Sequence, residues 1–308
     1  MTHRRTWSDL PPSLHRRLET LLGESVAHTR SCRGGFSPSS AEVITAGSGR
    51  SLFVKAVREQ DNPASMELNE REAMTLRAIP ADAPVPPLLD AFTHDDWFVL
   101  VTEAAPGKLP DVPWTSSQLD RVLRALDDLQ ARTTPSPVNG MPSLPETLGP
   151  DMLGFERVAA DPPPDLVPWL ADRLDELRAA ARRGIDALEG DTLCHADVRA
   201  DNLLIADDGT VSFVDWAHAS RGSRVSDALQ LLSSVDDPTG DLQVNARIDA
   251  VLDAHGLHRQ TGTDVLTGIL GFFVDAARWP DDPHLPLIQE HRLRRRNSLL
   301  PVVTERWA

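Results

Sequence analysis

Two short apolar runs near residue 200 are interrupted by side chains that could hold a metal ion or move a proton. The first, at 193–205, reads LCHADVRADNLLI, and the second, at 212–218, reads SFVDWAH. The strand-like stretches LLIA and VSFV are joined by DDGT, so a hairpin is predicted that carries Asn202 and Asp215 to one end, with Asp197 on the preceding loop. These oxygen-bearing side chains favour Mg²⁺, which proteins hold with few ligands plus substrate phosphates. For each residue alone, the alternative is a turn with local hydrogen bonds.

The spacing of His195, Asp197 and Asn202 resembles the H-x-D-x-x-x-x-N catalytic loop of kinases, and Asp215 falls where the next metal-binding Asp belongs. Phosphoryl transfer from a nucleoside triphosphate would also need an upstream Lys on a strand and a Glu on the following helix. The strand SLFVKAV supplies Lys55, one of only two lysines among 31 basic residues. An Arg does not replace a compact ammonium that must reach between phosphates.

Glu72, on a helix predicted at 66–79, is the best-placed carboxylate to hold this ammonium, and Glu70 and Glu67 are weaker candidates. The alternative is that Lys55 only extends from a strand edge and that the glutamates form a solvated helix face.

Cys194 beside His195 could suggest a nucleophile and its base, but adjacent residues of an extended segment point to opposite faces. We therefore interpret Cys194 as a small buried hydrophobe and His195 as a structural brace of the loop.

The elements around these motifs predict an α+β chain in two parts. Strands at 51–57 and 96–104 and the helix at 66–79 precede AAPGKLPDVP, a segment typical of a lobe boundary. Beyond it, apolar residues at helical spacing predict helices near 119–129, 170–188, 224–234, 241–255 and 262–278. Nine prolines between 134 and 168 predict a long surface excursion with at most short helices.

Composition limits the class of protein. The 308 residues are 41% hydrophobic and 25% charged, as in ordinary globular proteins, and the net charge of −15 argues against a nucleic-acid partner. The basic run HRLRRRN at 291–297 is interpreted as a solvated or salt-bridged helix face. Two cysteines, no long apolar window and a start without a signal-peptide pattern predict a cytoplasmic protein without a membrane partner.

The order of these motifs resembles the aminoglycoside phosphotransferase family, a branch of the protein-kinase-like folds that phosphorylates small-molecule hydroxyls. The resemblance runs from about Gly34 to Asp227 and is carried by GGFSP, FVKAV, EREAMTLRAI, APVPPLLD, LVTEAAPG, CHADVRADN and VDWAH. It implies a bilobal fold with a nucleotide-binding N-terminal lobe at 1–103, made of an antiparallel sheet and one helix. A hinge at 104–110 and a larger, mostly helical lobe at 111–308 with the acceptor pocket would follow, and ATP would enter between the lobes.

The resemblance also implies roles for the residues above. Asp197 resembles the catalytic base, which would accept the proton of the attacking hydroxyl. Asn202 and Asp215 resemble the Mg²⁺ ligands, and Lys55 and Glu72 resemble the ion pair that positions the phosphates. The implied cofactors are ATP and Mg²⁺, and GTP stays open as an alternative.

Further positions follow from the same resemblance. Thr102 and Ala104 correspond to hinge positions whose backbone C=O and N–H meet adenine. Gly35 and Ser37, in GGFSPSS, correspond to a phosphate loop that departs from the Gly-rich loop of protein kinases.

Three residues of the catalytic segment and its surroundings complete the implied site. Asp227 corresponds to a buried brace after the metal motif. Arg199 lies where protein kinases carry a Lys, and we expect it to neutralise charge on the transferring phosphoryl group. Ala196 occupies a position where the family usually has Gly.

The acceptor should bind in the helical part, which is rich in carboxylates that would suit a cationic small molecule. Most of them are expected to face water. The exception is Asp275, which interrupts the apolar run GFFVDAARW and is predicted to point into the pocket, with Trp279 as an apolar wall. We expect a monomer or a weak dimer.

The leading hypothesis is an ATP-dependent O-phosphotransferase acting on a small molecule such as an aminoglycoside or another antibiotic. A metabolic kinase for a sugar, choline or an amino alcohol shares every residue above. A non-catalytic nucleotide-binding module and a metal-dependent phosphoesterase are the alternatives from other classes.

Overall fold

A computed structural model describes residues 5–32, 39–281 and 287–308 of the chain. The chain divides into two compact units. The first unit comprises Met1–Pro110 with Ala200–Ala219, and the second comprises Asp111–Arg199 with Ser220–Ala308.

The described residues form helices joined to short antiparallel sheets. The helices are α1 Pro12–Leu22, α2 Pro63–Ala78, α3 Ser116–Arg132, α4 Leu144–Met152, α5 Gly154–Ala160, α6 Pro168–Ala171, α7 Leu174–Asp186, α8 Ser226–Ser233, α9 Val244–Ala254, α10 Arg259–Ala276 and α11 Ile288–Arg306. The strands are β1 Val26–Ser31, β2 Ser40–Ala46, β3 Ser51–Arg58, β4 Leu88–His94, β5 Trp97–Glu103, β6 Thr192–Cys194, β7 Leu203–Ile205, β8 Val211–Phe213 and β9 Ser220–Gly222.

In the first unit, an antiparallel five-stranded sheet has the order β1-β2-β3-β5-β4. Along β3 the side chains of Leu52, Val54 and Ala56 enter the apolar core of this unit. Because side chains alternate along a strand, Lys55 projects from the opposite face of the sheet.

Helix α1 was absent from the sequence prediction, which placed a single helix in this part of the chain. Its residues Leu14, Leu18 and Leu22 recur every four positions and are fully buried in the core of the first unit. Gly23 ends the helix with φ +83, a left-handed conformation that favours glycine. The signal was present in the sequence and is a short amphipathic stripe.

Helix α2 begins three residues before the predicted start at residue 66. The side chain of Asn62 accepts a hydrogen bond from the N–H of Ser65 at 2.7 Å, and Pro63 occupies the first turn, so the N-terminus is capped. The helix ends at Ala78, shortly before Pro80. This placement brings Glu72 onto its buried face.

Strands β7 and β8 form the predicted hairpin, with Leu203 opposite Phe213 and Ile205 opposite Val211. The hairpin belongs to the first unit, because Lys108 bridges to Ile205 through the backbone and the N–H of Phe213 donates to the carbonyl of Pro84. The predicted lobes at 1–103 and 111–308 are contiguous, whereas the compact units interleave the chain at residues 200–219.

The second unit is built around α10. Its Leu266 and Leu270 are fully buried. Helices α7 and α5 approach α10 closely at glycines: a Cβ added to Gly184 would lie 2.4 Å from the carbonyl oxygen of Asp264, and one added to Gly154 would lie 2.0 Å from that of Gly271.

The proline-rich segment at 134–168 contains the short helices α4 and α5 and the first residue of α6, as predicted, but it is not a surface excursion. Leu144, Phe155 and Met152 are all buried in the second unit. Ser143 caps α4: its hydroxyl accepts the N–H of Glu146, and the carboxylate of Glu146 accepts the N–H of Ser143. Pro145 lies in the first turn of α4, and the prolines of this segment therefore do not exclude its helices from the core.

Helix α11 contains the basic run at 291–297. Arg294 and Asn297 are exposed, as expected for a solvated face, but Arg295 is buried. The interpretation as a solvated face is therefore wrong for Arg295. No helix in the described part of the chain is long and apolar enough to cross a membrane.

Candidate active site

The ammonium of Lys55 lies between two carboxylates of the first unit. Nζ donates to Oε2 of Glu72 at 2.6 Å and to Oδ1 of Asp215 at 2.7 Å. The side chains of Lys55 and Glu72 are 12% and 4% exposed, whereas that of Asp215 is 37% exposed. One end of this triad is therefore buried and the other faces outward.

The two carboxylates hold Lys55 in its charged form. Burial lowers the pKa of Lys55, but the charges of Glu72 and Asp215 outweigh burial, so the pKa lies above its usual value. Burial raises the pKa of Glu72, and the ammonium and a hydrogen bond from the backbone of Trp216 oppose that rise. The result is a fixed positive charge on a rigid strand.

The hairpin brings Asn202 and Asp215 to the same end of its two strands. The N–H of Val214 donates to the carbonyl of Asn202 at 3.0 Å, and Asp215 follows directly. Asp215 has φ +68, a left-handed conformation that is uncommon outside glycine. The amide and carboxylate oxygens of this pair match the ligand preference of Mg²⁺.

In the second unit, Asp227 fixes the segment that carries Asp197. Its Oδ2 accepts the N–H of His195 at 2.8 Å, and its Oδ1 accepts the N–H of Ala196 at 2.9 Å. The N–H of Asp197 in turn donates to Nδ1 of His195 at 3.3 Å. His195 and Asp227 therefore both bond to the backbone of the segment that carries Asp197.

Burial raises the pKa of Asp227, and His195, the two backbone N–H groups and Gln130 oppose that rise. Burial also raises the pKa of the Cys194 thiol, so this sulfur is a poor nucleophile.

Gln230, on α8, is a contact of this loop that sequence reasoning missed. Its Oε1 accepts the N–H of Val198 at 3.2 Å, and its Nε2 donates to the carbonyl of Ala196 at 2.9 Å. These bonds hold the residues on both sides of Asp197. Gln230 lies three positions after Asp227, on the next turn of the helix, which is the one signal that could have identified it.

Arg199 lies next to Asp197, with Nε 3.6 Å from Oδ2. The arrangement is that of a carboxylate with an adjacent cation on the same loop.

The model of the phosphotransferase enzyme family matches residues 28–261, well over half of the chain. The chain belongs to the phosphotransferase enzyme family. The resemblance inferred from the motifs is thereby confirmed, and the protein is a small-molecule kinase.

Solved structures of antibiotic kinases share the fold of this phosphotransferase and confirm the predicted α+β kinase-like class. A thermostable mutant of aminoglycoside phosphotransferase APH(4)-Ia, in a ternary complex with ADP and hygromycin B, is 15% identical with a TM-score of 0.59, over 95% of this chain and 98% of that one. Spectinomycin phosphotransferase APH(9)-Ia, with ADP and spectinomycin, is 9% identical with a TM-score of 0.57, over 96% and 97%. The amicoumacin kinase hAmiN, with AMP-PNP, Ca²⁺ and amicoumacin, is 14% identical with a TM-score of 0.55, over 96% of both chains. A sequence comparison with curated proteins gave no significant match.

The hinge positions of the phosphotransferase differ in what they can offer a nucleotide. Thr102 is buried and is paired with Phe53 and Leu88 on either side of β5. The N–H of Ala104 already donates to the carbonyl of Ser51 at 3.2 Å. The expectation that this N–H meets adenine is therefore not supported, because the sheet uses it. Gly35 and Ser37 lie outside the described residues.

Asp275 does not point into an open pocket as predicted. It is 2% exposed, its Oδ2 accepts a hydrogen bond from Nε of Arg157 at 2.5 Å, and it also pairs with Arg278. Trp279 donates its indole N–H to the same carboxylate at 3.3 Å. Asp275 is thus neutralised by two arginines that were not apparent from the local pattern, whereas Trp279 is exposed and contacts Asp275 only through its indole N–H.

Proposed function

We propose that the enzyme transfers the γ-phosphoryl group of ATP, with Mg²⁺, to a hydroxyl of a small molecule. The strongest support is the position of Lys55, whose Nζ lies 2.6 Å from Oε2 of Glu72 and 2.7 Å from Oδ1 of Asp215. A buried strand Lys between a helix Glu and a carboxylate after a hairpin is the charge arrangement that phosphoryl transfer uses to position phosphates.

Several residues would bind or act on the reacting groups. Lys55 would bind phosphate oxygens of the nucleotide, and Glu72 would keep its ammonium in place. Asp197 would orient the acceptor hydroxyl and accept its proton. Arg199, 3.6 Å from Asp197, would offset charge on the transferring group. The barrier to phosphoryl transfer is lowered mainly by such positioning and charge neutralisation.

Asn202 and Asp215 would hold Mg²⁺. The donor set fits this ion, since both side chains offer hard oxygen ligands and a small number of protein ligands leaves room for phosphate oxygens. The metal, when bound, would neutralise the charge of the phosphate groups. The nucleotides in the three solved structures, ADP and AMP-PNP, support ATP as the donor, and GTP stays an alternative.

Two of those structures hold hygromycin B or spectinomycin beside ADP, which supports a small molecule as the acceptor. A resistance role and a metabolic role share all the residues above.

The test is ADP release from ATP and Mg²⁺ against a panel of small alcohols, with mass spectrometry of the product. We expect a phosphorylated alcohol and a loss of turnover of several orders of magnitude in D197N. The matched control is D201N, an exposed carboxylate four residues later on the same segment, which should keep near wild-type turnover. ATP binding without transfer to any alcohol would favour a non-catalytic module, and phosphate release without ATP would favour a phosphoesterase.

A further inference from the structure

Arg295 is a buried cation in the second unit. Its side chain is 9% exposed, and its guanidinium donates to the carbonyl of Ser233 and to Oγ of Ser233. The guanidinium carbon also lies 4.8 Å from the ring centroid of Phe273. Ser233 accepts hydrogen bonds and Phe273 offers its ring, but neither carries a charge that would neutralise the cation.

No carboxylate within residues 5–32, 39–281 and 287–308 forms an ion pair with Arg295. Arg306, on the same helix, provides the comparison: it is 4% exposed, and its Nη2 lies 2.7 Å from Oδ1 of Asp249. Arginine is seldom buried without a partner, because an uncompensated buried charge is costly. The helix therefore holds one buried guanidinium with its counter-ion and one without.

The charges around Arg295 are mostly positive. Burial and the charges of Arg294 and Arg199 lower the pKa of Arg295 to about 10, and Asp197 alone opposes them. Burial and the charges of Arg295, Arg199, Arg294 and Arg292 lower the pKa of His291 to about 4. An anion at this position would remove the repulsion.

Helix α8 connects this cation to the segment of Asp197. Gln230 bonds to the backbone of Ala196 and Val198, on both sides of Asp197. Ser233, three residues later, lies on the same face of α8 as Gln230 and bonds to Arg295. Arg295 therefore lies about one helical turn of α8 beyond the contact that holds the proposed base.

We propose that the acceptor carries an anionic oxygen group, a carboxylate or a phosphate, which Arg294 and Arg295 bind while its hydroxyl meets Asp197. This inference rests on the proposed function for the role of Asp197. A guanidinium has five N–H donors, and Ser233 accounts for two of those of Arg295, so a bidentate contact to an anion remains available. Arg294 is exposed and gives the anion a solvent-facing partner.

The same observations argue against a polycationic acceptor such as an aminoglycoside. Asp275, the carboxylate predicted to recognise ammonium groups, is already neutralised by Arg157 and Arg278. Arg199 lies 3.6 Å from Asp197, and the buried cation of Arg295 interacts electrostatically with Asp197, Arg199 and Arg294.

The test is ADP release with acceptors in matched sets: hydroxy acids and sugar phosphates, the corresponding neutral amides or alcohols, and cationic amino alcohols including aminoglycosides. We expect the anionic members to be phosphorylated best. R294Q and R295Q should raise the KM for them roughly 30-fold or more, with a smaller change in kcat. R296Q is the matched control, since Arg296 lies on the same helix and its guanidinium bonds to the side chain of Asn297.

A preference for neutral or cationic acceptors would overturn the inference and leave the proposed function intact. Equal KM values of R294Q and R296Q for the anionic acceptor would overturn it too. Because Arg294 is exposed, this comparison can be made even if R295Q folds poorly.

If no alcohol is phosphorylated, the proposed function fails and a binding experiment decides the anion site. Sodium sulfate, compared with sodium chloride at equal ionic strength and without nucleotide, should raise the Tm of the wild type and of R296Q more than that of R295K or R294Q. An equal rise in all four proteins would exclude an anion site at these arginines.

Discussion

Nζ of Lys55 lies 2.7 Å from Oδ1 of Asp215, although 160 positions separate the two residues in the sequence. Lys55 is on β3 and Asp215 follows β8, so this contact joins the five-stranded sheet to the hairpin within the first unit. Glu72 on α2 completes the triad. Three separate elements therefore converge on one ammonium, and its removal should affect both chemistry and folding.

Replacing Lys55 by Met should lower turnover about 100-fold or more, because a positioned cation at phosphate oxygens is lost. The buried carboxylate of Glu72 would lose its partner, so the free energy of unfolding should fall by about 3–5 kcal/mol. The measurements are ADP release under saturating ATP and urea denaturation monitored by circular dichroism.

The sequence offers a matched control for this change, because Lys108 is the only other lysine. Lys108 is exposed and contacts Ile205 through its backbone, so K108M should change stability by less than about 0.5 kcal/mol and leave turnover near wild type. Wild-type turnover in K55M would contradict the proposed role.

Gln230 should act as a positioning residue for Asp197. In Q230A the N–H of Val198 and the carbonyl of Ala196 lose their partners, and the loop should sample positions unsuited to proton transfer. We expect kcat to fall about 10-fold to 100-fold with little change in the KM for ATP, since a shift of about 1 Å costs that much.

Steady-state kinetics with Q260A as the control would test this. Gln260 is another helical glutamine of the same unit, and it bonds to Asp264 on its own helix. A rise in the KM for ATP in Q230A without a fall in kcat would contradict a positioning role.

Ala196 should become more favourable as glycine. Its φ of +64 lies in the left-handed region, which costs a residue with a Cβ about 1–2 kcal/mol. Glycine relieves that strain but makes the unfolded chain more flexible, which costs about 0.5–1 kcal/mol of stability. The free energy of unfolding of A196G should therefore rise by up to about 1 kcal/mol.

The contrasting variant is A219G, because Ala219 is also buried in a turn but has φ −48. That substitution should destabilise the protein in the same denaturation experiment. A loss of stability in A196G equal to that in A219G would show that the left-handed conformation carries no strain.

Because of His291, the free energy of unfolding should fall as the pH is lowered from about 6.5 to about 4. Its pKa is lowered to about 4 from an ordinary value of 6.5, so between these values the unfolded chain binds more protons than the folded one. The contribution of neutral His291 is complete above pH 6.5 and is lost as the pH falls towards 4. Thermal unfolding of the wild type should therefore shift down over this window relative to H291Q.

Titration of the imidazole ring protons by NMR measures the same quantity directly, and the resonance missing in H291Q assigns it. An apparent pKa at or above 6.5 would contradict the positive surroundings described for α11.

Local patterns were sufficient for the fold class and for the hairpin. The short apolar runs LLIA and VSFV with a DDGT turn predict strands that the structure has at Leu203–Ile205 and Val211–Phe213. Lys55 and Glu72 were also predicted as partners, because their elements are adjacent in the chain and the spacing matches a known arrangement. Helix α1 was missed because its stripe of Leu14, Leu18 and Leu22 is only three turns long.

Long-range partners could not be predicted in this way. Asp275 was expected in a pocket, yet Arg157, 118 positions away, is held by its carboxylate. Arg295 was expected on a solvated or salt-bridged face, yet it is buried and bonds to Ser233, 62 positions away. In both cases the residue pattern of one helix indicates whether a polar side chain faces inward or outward. It does not identify the distant residue that contacts that side chain, and this partner decides whether the side chain is free to bind a substrate.

The hairpin at 200–219 belongs to the first unit but is encoded inside the second. The polypeptide therefore passes from one unit to the other three times, and a single cut cannot separate them. A fragment ending at Pro110 would retain Lys55 and Glu72 and lose Asp215. A chimaera with a related kinase that exchanges the second unit therefore needs three junctions. Only then do Lys55, Glu72 and Asp215 all come from the same parent.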